Sequence, residues 1–210
     1  MPQIPYQLVS PSGAGDRRAV TIGTLAAEIS LACGAADEMA SRVRSALERA
    51  VSDPELLIPE QRETCAAGYA RHVIYSDPLG RFTILAIVWG ERQFSPSHAH
   101  DTWCAYAVYE NPLQETVYAI EPQQTKARPV CTKVRNPGYS CFAGAGLDQI
   151  HRLGNSGTTP AISIHVYGVP RDRVGTHVNK VLETEDEKDL SLEQDDESFG
   201  AAEARQPRRP

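Results

Sequence analysis

Apolar residues in the first third of the chain recur every three or four positions, the spacing of a helix with one buried face. Two segments show this pattern, residues 21–30 and residues 37–55. Their apolar positions are Ile22, Leu25, Ala26 and Ile29 in the first, and Met39, Val43, Ala46, Leu47 and Ala50 in the second. We expect Thr21 or Thr24 to cap the first helix and Asp53–Pro54 to end the second. Each apolar face is more simply a core-packing surface than a site for a partner protein.

From about residue 70 the pattern changes to short runs rich in Val, Ile, Thr, Tyr and Phe. The runs are ARHVIYS, RFTILAIVWG, WCAYAVYE, QETVYAIE and PAISIHVYG. Turn-forming segments separate them, among them residues 77–80 (DPLG) and 136–138 (NPG). Many short strands without intervening helices predict an antiparallel sandwich or barrel.

The last residues have a different composition. Residues 183–210 are dense in acidic side chains and contain few large apolar ones, so they are expected to be mostly disordered. The predicted organisation is an N-terminal helical segment (1–68) packed on the barrel, the barrel itself (69–182) and an acidic tail (183–210).

Composition narrows the class of protein. The chain has 210 residues, 41% of them hydrophobic, and a net charge of −6 without a basic cluster, so we expect one globular domain that does not bind nucleic acid. It contains no run of about 18 apolar residues, and its first residues do not resemble a signal peptide. Five scattered cysteines without a CxxC pair favour a reducing cytoplasm: Cys33, Cys65, Cys104, Cys131 and Cys141. A monomer or small homo-oligomer is expected.

Three histidines are the candidate metal ligands. His98 and His100 are two apart on a predicted strand, so their imidazoles point to the same face. His151 is followed at the fourth position by Asn155, and together these segments resemble the two signature motifs of the cupin superfamily. Cys104 stands where that superfamily commonly has an acid. Three neutral nitrogen ligands with open coordination positions beside them suit Fe(II), with Zn or Ni as alternatives. The non-functional interpretation is that the three are ordinary surface or core histidines that bind no metal.

A further motif narrows the resemblance. Ser163, His165 and Tyr167 alternate along a strand and share a face, where a hydrogen-bonded relay would offset the cost of burying them. A purely structural network is the alternative. A three-histidine cupin with this Ser-x-His-x-Tyr strand is similar to the cysteine dioxygenase family of thiol dioxygenases. The resemblance covers roughly residues 56–182 and implies a cupin (double-stranded β-helix, or jelly-roll) barrel, mainly β, with N-terminal helices.

The resemblance also implies roles for individual residues. Tyr69 and Arg71 match a Tyr-x-Arg element whose guanidinium holds the substrate carboxylate, although an Arg on a strand edge can also be merely solvated. Relatives specific for 3-mercaptopropionate have Gln at that position, so Arg71 favours cysteine. In animal members a cysteine near the position of Cys104 forms a thioether cross-link with the relay tyrosine, which here is Tyr167; a small buried hydrophobic residue is the alternative.

Two departures from the family bear on the substrate. Ala99 stands between the first two histidines, where members commonly have Asp, and the DTW sequence after His100 also differs. Arg171 and Arg173 follow the relay and are either solvated or available to a second substrate carboxylate.

The resemblance implies an Fe(II)-dependent dioxygenase of cysteine catabolism that converts a small carboxylated thiol and O2 to the sulfinic acid. Cysteine is the favoured substrate, and 3-mercaptopropionate or mercaptosuccinate are the alternatives. A non-oxidative metal-dependent cupin and a cupin sensor without turnover are the more distant alternatives.

Overall fold

The structure is a computed structural model that describes residues 17–185 and 192–194. Two helices come first, α1 (Arg17–Ala32) and α2 (Met39–Val51). The strands within the described residues are β1 (Ala70–Ser76), β2 (Thr83–Trp89), β3 (His98–His100), β4 (Cys104–Glu110), β5 (Leu113–Ala119), β6 (Arg128–Arg135), β7 (Ser140–Ala143), β8 (Gly146–Gly154), β9 (Ala161–Tyr167), β10 (Asn179–Val181) and β11 (Leu192–Gln194). Short 3-10 turns occupy Ala36–Glu38, Pro59–Arg62 and Arg171–Arg173.

The strands form two sheets. One has the order β1-β2-β9-β4-β7 and the other β10-β3-β8-β5-β6-β11. The pairings among β1 to β10 are antiparallel, whereas β11 runs parallel to β6. The predicted mainly β cupin barrel with N-terminal helices is confirmed.

The first sheet is covered on both faces, which explains why β2 and β9 are buried along their whole length. Alternate residues of these strands, such as Ile84 and Ile164, pack in one core cluster with Leu25 of α1 and Leu47 of α2. The intervening residues therefore face the interior of the barrel, where a second cluster joins residues of both sheets. This alternation sends the polar residues of β9 into the barrel.

The helices agree with the predicted apolar faces, but the capping prediction is wrong. Helix α1 already includes Arg17, so Thr21 and Thr24 lie inside it and cannot be N-caps. The good helix formers that precede the apolar stripe, Arg17 to Ala19, extend the helix by a turn. Thr21 Oγ1 instead donates a 2.6 Å hydrogen bond to Asp53 Oδ2. Neither α1 nor α2 has the length and apolar character needed to cross a membrane.

The predicted disordered tail, 183–210, falls mostly outside the described residues. Where the structure describes this region, Ala127 pairs with Thr184 in an isolated bridge, and β11 extends the second sheet beside β6. The prediction did not include this strand, because three residues in an acidic sequence carry no periodic signal.

Candidate metal centre and substrate cavity

The three predicted metal ligands lie together on the inner face of the second sheet. β3 carries His98 and His100, and β8, paired with β3, carries His151 directly opposite His98. The ring centroids are 4.7 to 5.2 Å apart for the pairs that include His151 and 5.0 Å apart for His98 and His100. One potential ligand nitrogen from each residue lies within 4.8 Å of the others. Strand pairing thus brings together histidines more than fifty residues apart in sequence.

Hydrogen bonds orient two of these imidazoles for metal binding. His98 Nδ1 donates to the carbonyl oxygen of Pro96 at 2.9 Å, and His151 Nδ1 donates to Glu115 Oε1 at 2.6 Å. Both acceptors require a proton on Nδ1, so Nε2 of each ring keeps the lone pair that a metal needs. The donor set therefore fits a divalent transition metal.

Burial keeps two of the three candidate ligands in their neutral form. Loss of solvation, together with repulsion from His151, lowers the pKa of His98 to about 3 and the pKa of His100 to about 2. Neutral imidazole is the form that coordinates metals, so these two residues need not lose a proton to bind a metal at neutral pH.

Glu115 is a site residue that the sequence reasoning missed. It lies on β5 two residues before Val117, the direct partner of His151 in β8, so strand alternation places Glu115 on the same face as His151. Besides accepting from His151, its carboxylate accepts a 2.8 Å hydrogen bond from Arg135 Nε. Burial raises the pKa of Glu115, but the hydrogen bond from His151 and the charges of His151 and Arg135 outweigh it and lower the pKa to about 2. The three candidate ligands include no carboxylate, but Glu115 supplies one that contacts His151 by a hydrogen bond.

The Ser-x-His-x-Tyr residues form a hydrogen-bonded chain inside the barrel. Ser163 Oγ lies 2.8 Å from His165 Nε2, and Tyr167 Oη lies 3.1 Å from His165 Nδ1. Trp89 extends the chain, because its Nε1 donates to Ser163 Oγ at 2.9 Å. Burial lowers the pKa of His165 well below its ordinary value, so its ring is neutral. Tyr106 stacks on this ring, with centroids 5.4 Å apart.

A cavity beside the histidines is lined by residues of both sheets, including Tyr69, Arg71, Cys104 and Tyr167. Arg71 Nη2 donates to the Tyr69 hydroxyl at 2.7 Å, and its guanidinium carbon lies 4.9 Å from the centre of the Tyr69 ring. These contacts give the guanidinium a defined position at the cavity wall.

Arg171 and Arg173, the other two candidate cations, are located elsewhere. They lie in an exposed 3-10 turn and do not line this cavity. They also do not line a second, adjoining cavity, which shares Arg71, Tyr167 and Asn179 with the first.

Cys104 and Tyr167, the two candidate cross-linking residues, are direct partners in the pairing of β4 with β9. Side chains of directly opposed residues project from the same face of a sheet, with Cβ atoms about 5 Å apart. Both residues are buried, belong to one apolar cluster and line the cavity. Their placement fits the proposed pairing.

Asn155, which helped to define the second cupin motif, has a structural role in the described contacts. Its side-chain amide donates to the carbonyl oxygens of Trp89, Gly90 and Thr159 at 2.8 to 3.2 Å. Its Oδ1 accepts from the backbone of Gly157 at 2.8 Å. The residue closes the turn after β8 and so fixes the end of the strand that carries His151.

Two solved structures are among those similar to this chain at low sequence identity. A conserved protein with a double-stranded β-helix domain from Klebsiella pneumoniae is 18% identical, with a TM-score of 0.43 over 63% of this chain and 99% of that chain. An oxalate oxidase in complex with glycolate is 16% identical, with a TM-score of 0.41 over 56% of this chain and 61% of that chain.

Comparison with known sequences identifies the family of the chain. Cysteine dioxygenase type 1 of Bos taurus is 29% identical over 115 residues, which cover 50% of this chain and 56% of the bovine protein. The Danio rerio protein of the same name is 28% identical over 106 residues, 49% of this chain and 52% of its own. The chain thus spans about half the length of these relatives. The sequence profile of the family named Cysteine dioxygenase type I matches residues 65–179, more than half of the chain. The chain therefore belongs to the cysteine dioxygenase type I family.

Proposed function

We propose that this chain is an Fe(II)-dependent thiol dioxygenase that converts a small carboxylated thiol and O2 to the corresponding sulfinic acid, with cysteine as the favoured thiol. The observation that carries the proposal is the convergence of three histidines beside a cavity whose wall includes Arg71. Membership of a family of oxygenases supports the reaction class.

His98, His100 and His151 would hold the metal, and their all-nitrogen donor set with open neighbouring positions suits Fe(II). Bound iron would supply the redox chemistry and hold the thiolate and O2 next to each other. Glu115 would keep the proton of His151 on Nδ1 and its lone pair on Nε2.

Arg71 would bind the substrate carboxylate, because its planar guanidinium offers paired donors and Tyr69 holds one of its nitrogens in place. The charge of Arg71 contributes to the lowered pKa of both His98 and His165, so its positive potential reaches the metal site. An anionic substrate is favoured in that potential.

The chain of hydrogen bonds would orient Tyr167 toward the substrate. Trp89 Nε1 can only donate, so Ser163 accepts from it and gives its own hydrogen to His165 Nε2. A neutral His165 then has its proton on Nδ1 and donates it to the Tyr167 oxygen. In this arrangement the Tyr167 oxygen is the acceptor at the end of the chain, and its hydroxyl would donate to the substrate or to oxygen during the reaction.

A dicarboxylic thiol has less support from the site. Mercaptosuccinate would need a second cation, and Arg71 is the one arginine or lysine among the residues lining the cavity and the adjoining cavity. The candidate cations Arg171 and Arg173 are exposed in a separate turn. A thiol with one carboxylate matches the single guanidinium.

We also propose that the protein acts in the cytoplasm, since its five cysteines are unpaired thiols. A thioether between Cys104 and Tyr167 is proposed from their direct pairing in the sheet.

The test is to load the protein with Fe(II) anaerobically and measure O2 uptake with cysteine, 3-mercaptopropionate and mercaptosuccinate. The variant H151A should lose iron retention and O2 uptake, whereas H177A, which removes an exposed histidine, should keep both. Unchanged turnover in H151A would refute the ligand assignment. Iron binding without O2 uptake for any thiol would favour a non-oxidative cupin instead.

A further inference from the structure

A row of three side chains crosses the first sheet from the metal site to an edge. His165 of β9, Tyr106 of β4 and Cys141 of β7 are direct partners in the strand pairings, so their side chains project from the same, inner face. The ring centroid of Tyr106 lies 5.4 Å from that of His165 and 6.3 Å from that of His151. At the other end of the row, Cys141 is half-buried on β7, an edge strand of this sheet. The row therefore connects the surroundings of the metal ligands with the protein surface.

Tyr139 packs beside the outer end of this row. Its ring centroid lies 6.0 Å from that of Tyr106, and its hydroxyl donates a hydrogen bond to the Cys141 sulfur. The guanidinium carbon of Arg135 lies 4.1 Å from the centre of the Tyr139 ring and holds the ring in place. Tyr106, Tyr139 and Cys141 belong to one apolar cluster. Because rings with centroids about 4.5 to 7 Å apart are in contact, the contact is continuous from His151 to Cys141.

Tyr106 and Cys141 have no part in the proposed reaction, and both can be oxidised. Tyr106 is 2% exposed, and its hydroxyl has no hydrogen-bond partner among the described residues. A phenylalanine would fill the same position without the cost of burying that hydroxyl, so packing alone does not explain the phenol. Burial raises the pKa of the Cys141 thiol to about 11. Peroxide attacks a thiolate rather than a thiol, so peroxide in bulk solvent should oxidise Cys141 only slowly.

We propose that Tyr106 carries oxidising equivalents from the iron site to Cys141, and thereby protects the ligand histidines when peroxide reacts at the iron in the absence of substrate. The inference rests on the iron binding of the proposed function and adds a protective function to it. Ferrous iron gives one electron to hydrogen peroxide, which yields ferric iron, hydroxide and hydroxyl radical. The radical takes one electron from Cys141 through Tyr106 and one proton from solvent, and becomes water. The thiol proton of Cys141 leaves to solvent, a thiyl radical remains on the sulfur, and Tyr106 ends as a phenol.

The position of the row explains why the radical should end on Cys141. Electron transfer between side chains weakens steeply with distance, so rings in contact favour this direction over the surrounding aliphatic core. Cys141 is the member of the row that lies on an edge strand and reaches solvent. A soluble one-electron reductant can return the thiyl radical to the thiol there.

The experiment locates the radical and does not depend on turnover. Iron-loaded protein without substrate is mixed anaerobically with an equimolar amount of hydrogen peroxide and a nitrone spin trap, and peptide mass spectrometry identifies the trapped residue. The zinc-loaded protein is the control for the metal, because zinc cannot reduce peroxide. Y106F removes the phenol and keeps the ring, and it should fold because the lost hydroxyl has no partner among the described residues. Y118F is the matched control, since Tyr118 is also a buried tyrosine but belongs to a different cluster.

We expect the trap on Cys141 in the iron-loaded wild type and in Y118F, and on no residue of the zinc-loaded protein. Y106F should lose the Cys141 adduct, and its ligand histidines should gain oxygen atoms to a greater extent than those of the wild type. In C141S the trap should move to Tyr139, which contacts both Tyr106 and residue 141. This variant decides the matter if Y106F does not fold.

Three results would overturn the route: a Cys141 adduct that persists in folded, iron-loaded Y106F, adducts scattered over the surface of the wild type, or an adduct at Cys141 in the zinc-loaded protein. A C141S adduct at any residue other than Tyr139 would also overturn it. Iron content and O2 uptake with thiols are measured in parallel. A Cys141 adduct in a protein that oxidises no thiol would keep the route and refute the dioxygenase, whereas a wild type that retains no iron would refute both.

Discussion

Replacing Glu115 with glutamine should weaken metal binding at a residue that does not contact the metal. In the wild type the carboxylate accepts from His151 Nδ1 at 2.6 Å and from Arg135 Nε at 2.8 Å, and it is 5% exposed. Glutamine retains one acceptor oxygen, but its NH2 group would face whichever donor that oxygen does not serve. Either His151 loses the bond that fixes its tautomer, or Arg135 is left buried beside a donor.

The expected losses of metal affinity and of folding stability follow from these contacts. Loss of an outer hydrogen bond to a ligand histidine typically costs tenfold to a hundredfold in metal affinity, or about 1.4 to 2.7 kcal/mol. Separately, removing one partner from a buried ion pair costs about 3 to 5 kcal/mol of folding stability, and Arg135 is only 10% exposed. E115Q should therefore show both a lower affinity for Fe(II), measured by anaerobic chelator competition, and a lower urea midpoint without metal.

A matched control separates the two effects. Asp77 is also a buried carboxylate, 2% exposed, and forms an ion pair with Arg81 at 2.8 Å, but it does not line the cavity. D77N should lose stability and keep the metal affinity of the wild type. Wild-type Fe(II) affinity in E115Q, or an equal loss in D77N, would show that Glu115 does not position His151.

Two further predictions concern protons and a covalent bond. Burial lowers the pKa of His98 to about 3 and of His100 to about 2. Below about pH 6.5 these histidines therefore take up protons in the unfolded state but not in the folded state. The free energy of unfolding of the metal-free protein should then fall by about 1.4 kcal/mol per pH unit for each histidine as the pH decreases. Urea unfolding at pH 7 and pH 5.5 measures this, and a flat profile would contradict it. After turnover, mass spectrometry should find the Cys104 and Tyr167 peptides joined and lighter by two hydrogen atoms; separate unmodified peptides would exclude the thioether.

The positions of many elements could be predicted because their signals are local. The run ARHVIYS corresponds to β1 without a residue of difference, and the apolar faces of both helices are those buried in the structure. The runs around β2 and β9 are also strands, and their apolar character is continuous because helices cover one face and the second sheet covers the other. By contrast, the sequence pattern did not predict β6, β7 and β10 as separate strands.

Parts of the candidate site could be predicted for the same reason. His98 and His100, or Ser163, His165 and Tyr167, share a face because strand alternation has a fixed period of two. The function of Glu115 depends on contacts 36 residues away with His151 and 20 residues away with Arg135, so its own segment gives no indication of it. Asn179 is likewise opposite His100 only because β10 pairs with β3.

The sequence by itself determined the elements, the side chains that share each strand face and the residue types able to bind a metal, because these follow from backbone periodicity and side-chain chemistry. Only the tertiary structure decided which strands pair. Pairing brings His151 opposite His98, places Glu115 behind His151 and sets Asn179 beside the cavity of Arg71. The physical reason is that register between distant strands depends on how the whole core packs, which no local stretch of sequence contains.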